Sequence, residues 1–90
     1  MVVKAKRIDN LEKKVSKYKN NLVIRYLNSR GYDCNHSKNS MIKVNNILKT
    51  KGQRVVIEKE NEKLSRIGVY YTWEAYIKVK IIDIITGKDA

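Results

Sequence analysis

Apolar residues recur through the first third of the chain at helical spacing. Ile8, Leu11, Val15, Tyr18, Leu22 and Tyr26 follow one another by steps of three or four, which sets them along one face of a helix. Asp9 with Glu12 fits a capping box, and Gly31 follows Arg30 where a left-handed residue commonly closes a helix. The pattern predicts a helix over residues 10–30, with Asn20-Asn21 as the point at which it would divide in two. Residues 32–40 are rich in turn formers and supply caps in Ser37, Asn39 and Ser40. From Met41 a second amphipathic stretch puts Met41, Val44, Ile47 and Leu48 on one side and Lys43, Asn46, Lys49 and Thr50 on the other, before Gly52 ends it.

Beyond Gly52 the period changes from helical to alternating. Arg54 to Glu60 reads as a strand, Asn61 to Ser65 as a polar connection, and Val69 to Ile82 as a long second strand. In the latter, Val69, Tyr71, Trp73, Ala75, Ile77, Val79 and Ile81 share one side, opposite Tyr70, Thr72, Glu74, Tyr76, Lys78 and Lys80. A helix over 72–86, capped by Thr72 and stopped by Gly87, is the competing reading; the β-branched and aromatic content favours the strand. Fourteen residues of strand run roughly 46 Å, longer than a partner at 54–60 covers. The excess would pair with a weakly alternating strand at Val2 to Lys6 or with a second chain, and Ile81, Ile82, Ile84 and Ile85 form the candidate dimer interface.

The expected fold class is therefore α+β: two or three N-terminal helices followed by a β-hairpin, in one domain spanning residues 1–90, with a helical part at 8–52 and a β part at 54–86. This order resembles the helix-turn-helix with an appended β-wing, a winged-helix-like arrangement. That form needs a third helix, available only if residues 10–30 break, and the connection at 31–39 is longer than a tight helix-turn-helix allows.

Composition narrows the function classes. Ninety residues with no proline and four glycines suit one compact domain that buries only roughly 60–65% of its unfolded surface, so dimerisation is an expectation. Cys34 is the single cysteine, which excludes an intrachain disulfide, and with His36 it is the whole soft-ligand supply for a metal, too little for a structural zinc site. No metal or other cofactor is expected. No window of about 18 apolar residues exists and the start lacks a signal-peptide core, so the expected setting is cytoplasmic. Abundant Lys, Asn, Ile and Tyr with no Phe is the usage of AT-rich genomes, such as those of phages, plasmids and viruses.

Charge changes the picture most. Residues 1–54 carry fourteen Lys and Arg against three acids, and residues 55–90 carry six against six, so the net charge of +11 belongs to the first segment. Between Lys13 and Arg54 eleven basic residues face the single acid Asp33. Clustered cations of this kind release counterions on neutralising phosphates, which points to nucleic acid, with double-stranded DNA favoured over RNA. The candidate DNA-binding residues are Lys13, Lys14, Lys17, Arg30, Lys38, Lys43, Asn46, Lys49 and Arg54. Lys neutralises phosphates, and Asn46 has the paired donor and acceptor that match an adenine edge.

The leading expectation is a small dimeric DNA-binding regulator of phage, plasmid or viral type. The alternatives are a protein-binding factor, such as an inhibitor of a host enzyme or polymerase, and an RNA-binding component of a ribonucleoprotein. Tyr70 and Tyr76, interleaved with Lys78 and Lys80, also suit stacking of single-stranded bases. An enzyme is not expected. Asp33, Cys34 and His36 are too close in sequence for the reach that nucleophilic catalysis needs, and Glu58 with Glu60 lacks the further carboxylates of two-metal hydrolysis.

Overall fold

The computed structural model describes residues 2–90. Five elements follow in chain order: β1 (Val2–Ala5), α1 (Ile8–Ser29), α2 (Lys38–Thr50), β2 (Gln53–Ile67) and β3 (Tyr70–Asp83). The strands form one antiparallel sheet in the order β1-β3-β2, and both helices lie on the same face of it. The α+β class and the helices-then-hairpin order are as expected. The N-terminal strand is also present, with Val2 opposite Glu74 and Ala5 opposite Tyr71.

The first helix differs from expectation in three ways. It starts at Ile8, its N-cap is Arg7 without a side-chain hydrogen bond, and Asp9 lies inside the first turn, so no capping box forms. It also runs unbroken through Asn20-Asn21, which removes the three-helix version. Two Asn residues cost only a few tenths of a kcal/mol each in a helix, less than the packing of the residues around them provides.

The third difference concerns the buried face. Leu11 and Val15 are buried as the spacing predicts, but farther along the buried residues are Val23, Ile24 and Leu27, while Leu22 and Tyr26 are only half-buried. The stripe swings around the helix because α1 meets two environments. Its first half covers only the sheet, in a cluster with Val3, Ala5, Trp73 and Ala75; its second half shares a cluster with Val44 and Leu48 of α2 as well as Val55, Val79 and Ile81 beneath.

Helix α2 begins at Lys38 because Ser37 caps it, its Oγ accepting from the Ser40 amide at 3.1 Å. The connection from α1 is anchored by Asn28. Its side-chain amide donates to the Cys34 carbonyl at 2.8 Å and accepts from the Cys34 amide at 2.9 Å, which holds Cys34 in the core.

The hairpin corrects the strand reading. Asn61 to Ser65 is not a connection: β2 continues to Ile67, with a register shift between Glu60 and Lys63 where Asn61 takes a left-handed φ of 56°. A bulge of charged residues suits β2 because it is an edge strand. The turn is Gly68-Val69, and Gly68 at φ 61° supplies the positive dihedral that a two-residue turn with Gly in the first central position needs. Residues 72–83 are strand, not helix.

The long strand also has a full partner, since β2 pairs with it from Gln53 opposite Asp83 to Ile67 opposite Tyr70. The mismatch that argued for a second chain is therefore absent. Ile81 packs in the second cluster, and Ile82 is 7% exposed beneath the chain end, which folds back through an Asp89 bridge and an Ala90 amide bonded to the Ile81 carbonyl. Only Ile84 and Ile85 of the candidate dimer residues face solvent. No helix among the described residues is long and apolar enough to cross a membrane.

Candidate nucleic-acid interface

Because both helices cover one face of the sheet, the molecule has a helical side and an open sheet side, and the charges divide between them. From Ile8 to Lys51 the chain carries ten Lys and Arg, namely Lys13, Lys14, Lys17, Lys19, Arg25, Arg30, Lys38, Lys43, Lys49 and Lys51, against Asp9, Glu12 and Asp33. The open face is balanced. Lys4, Arg54, Lys63, Lys78 and Lys80 are set there among Glu58, Glu60 and Glu74, with Asp89 reached by Lys80. The surplus cations of the sequence are thus gathered on the helical side.

The cations of the two helices also differ in how they are held. Lys14 donates to the Lys4 carbonyl at 3.1 Å, and Lys19 lies 5.7 Å from the centre of the Trp73 ring. Lys13, Lys17 and Arg25 on α1 and Lys38, Lys43 and Lys49 on α2 are exposed and make no ion pair, hydrogen bond or ring contact among the described residues. Unpaired exposed cations keep their counterions until a polyanion replaces them. Near the helix ends Arg30 lies over the Tyr26 ring at 5.3 Å, and Lys51 over Tyr32 at 5.3 Å with a 3.2 Å bond to its hydroxyl.

Of the residues read from the sequence, Lys13, Lys14, Lys17, Lys38, Lys43, Asn46 and Lys49 lie on the two helices and Arg30 caps the first. Arg54 does not join them; opposite Ile82 in the register, it belongs to the open face. Lys19 and Arg25 are further cations of α1, and their signal was present in the charge run itself. The second helix presents Lys43, Asn46 and Thr50 outward as its pattern predicts, but Ile47 is not on the anchoring side; it is exposed with Ile42 on the outer face.

The open face carries Tyr70 and Tyr76, both exposed. It is a poor track for a polyanion. Lys80 bonds Glu58 at 2.7 Å and Asp89 at 2.9 Å, and these two contacts raise its pKa to about 12 while Lys80 lowers that of Asp89. Tyr76 stands opposite Glu60, and Lys78 opposite Glu58.

One concavity lies at the margin of the helical side. Ile8, Leu11, Val15, Leu64 and Trp73 line a groove of about 580 Å³ between the first half of α1 and the outer half of β2, rimmed by Glu12, Ser16, Lys19 and Glu62. Trp73 donates its indole N–H to Glu62 Oε1 at 2.9 Å, and that bond holds the Glu62 carboxyl below its ordinary pKa, with Lys59 at 3.4 Å and Lys19 adding to the effect. Cys34 is buried and His36 exposed.

Comparison with protein-family models, with curated proteins and with solved structures finds no match.

Proposed function

We propose that this protein binds nucleic acid, double-stranded DNA in preference to RNA, through the outer surface of its two helices. The observation that carries this reading is the division of charge: the helical side holds the surplus of cations over acids, six of them unpaired, while the open sheet face is nearly neutral, its cations set among Glu58, Glu60, Glu74 and Asp89. Helices offered by a rigid sheet suit a duplex, since an α-helix about 10–12 Å across matches a major groove about 12 Å wide. In this reading β2 and β3 are the wing of a two-helix relative of the winged arrangement, with Arg66 near its tip. The biological role is regulation of DNA transactions by a small, non-enzymatic protein needing no cofactor, and a dimer would double the basic footprint.

The decisive measurement is fluorescence anisotropy with labelled duplex DNA, hairpin RNA and single-stranded DNA across a salt series. Duplex binding that weakens steeply with salt, and survives competition by the RNA, is the expected result. Binding that is absent, or indifferent to salt, would refute the reading. The groove at Trp73, flanked by exposed Ile8 and Leu64, supports a second reading as a protein-docking factor. An apolar contact there would respond little to salt.

A further inference from the structure

Helix α2 has a composition unlike that of an ordinary solvated helix. Its thirteen residues include three Lys, three Asn, Ser40 and Thr50, and no acid. Val44 and Leu48 anchor it in the core, so the opposite face is fixed outward. On that face Asn39, Ile42, Lys43, Asn46, Ile47 and Thr50 line a shallow depression of about 400 Å³. Ile42 is 47% exposed and Ile47 38%. Solvation of the helix needs neither of them, since polar residues of better helix propensity were available at both places.

The geometry points to a base-reading face for A·T pairs in the major groove, with Asn39 and Asn46 as the adenine contacts and Ile42 and Ile47 as apolar contacts to thymine methyl groups. This inference rests on the reading of the helical side as a duplex-binding surface. Asn39 and Asn46 are seven residues apart, so they stand on one face about 10 Å from each other along the helix. That separation is about three base steps. Each Asn side chain presents a donor beside an acceptor, the pattern that adenine N7 and N6 complete, and an exposed aliphatic side chain gains from the thymine methyl what water cannot offer it. Lys43 beside this row, with Lys38 and Lys49 on its flank, supplies the phosphate contacts, and the absence of any acid on α2 removes repulsion along the whole helix.

The test uses three alternating duplex polymers, poly(dA-dT), poly(dA-dU) and poly(dG-dC), in competition with one labelled random duplex. Uracil differs from thymine only by the missing methyl group. The expected affinity order is dA-dT, then dA-dU, then dG-dC, with about a fourfold loss for each methyl contact removed and about tenfold or more between the A·T and G·C polymers. The Ile42→Ala, Ile47→Ala double variant should bind dA-dT and dA-dU equally while keeping its melting temperature and salt response, and the Asn39→Ala, Asn46→Ala double variant should lose most of the preference of dA-dU over dG-dC. Equal affinity of the wild type for all three polymers, with a steep salt response, would overturn base reading by α2 and leave the duplex-binding proposal standing. Retention of thymine preference by the double variant would also overturn it. Binding to none of the polymers would refute both.

Discussion

Removing Lys43 and Lys49 together should change how DNA affinity depends on salt by a calculable amount. Six cations on the two helices, Lys13, Lys17, Arg25, Lys38, Lys43 and Lys49, are exposed and unpaired among the described residues. If each neutralises one phosphate, the slope of log affinity against log salt is about −5.4, and affinity falls about 2000-fold between about 0.05 and 0.2 M salt. With both lysines changed to Ala four contacts remain, the slope becomes about −3.6, and affinity at about 0.1 M salt drops about 60-fold. Folding should be untouched, because both side chains are exposed and Ala is a better helix former than Lys. Lys63→Ala with Lys78→Ala is the matched control: it removes the same charge from the open sheet face and should leave the slope unchanged. Anisotropy titrations at four salt concentrations measure both slopes. A shallower slope for the sheet variant together with a wild-type slope for the α2 variant would show that DNA lies across the sheet, and the charge argument would fail.

Asn28→Ala should destabilise the protein by about 1–3 kcal/mol in urea unfolding, because it strands the partly buried amide and carbonyl of Cys34 that Asn28 bonds at once; a loss below about 0.5 kcal/mol would mean the loop holds itself. The fluorescence of Trp73, the single tryptophan, should titrate with Glu62. The Glu62 pKa in the folded protein is below its ordinary value of 4.5, so the stabilisation its bond provides is present above that value and is lost as pH falls through the lower, folded-state value. Glu62→Gln should abolish this acid fluorescence transition, and a variant that kept it would assign the transition to another carboxylate.

Much of the backbone was legible because periodicity is a local property. Steps of three and four residues mark α1 and α2, and alternation marks β3, since each follows from the dihedral geometry of the element itself. The ends of elements were less legible: Asn61 to Ser65 look like a loop in isolation, yet Asn61 and Glu62 form a bulge and Lys63 to Ser65 pair with β3 on an edge strand. A charged edge strand and a polar loop have the same composition, and only the partner tells them apart.

The sequence alone determined the size of the charge surplus and the segment that carries it, because both are sums over residues. Which surface received that charge was decided by tertiary structure. Packing α1 and α2 on one face of the sheet put Lys13, Lys17, Lys38, Lys43 and Lys49 on one side and left Arg54 on the other, and it turned the buried stripe of α1 from Leu22 and Tyr26 to Val23, Ile24 and Leu27. The same closure of the chain buried Ile82 beneath Asp89 and left Ile85 93% exposed, although the two read alike in sequence. Burial is a property of what covers a residue, and the covering segments here come from distant parts of the chain.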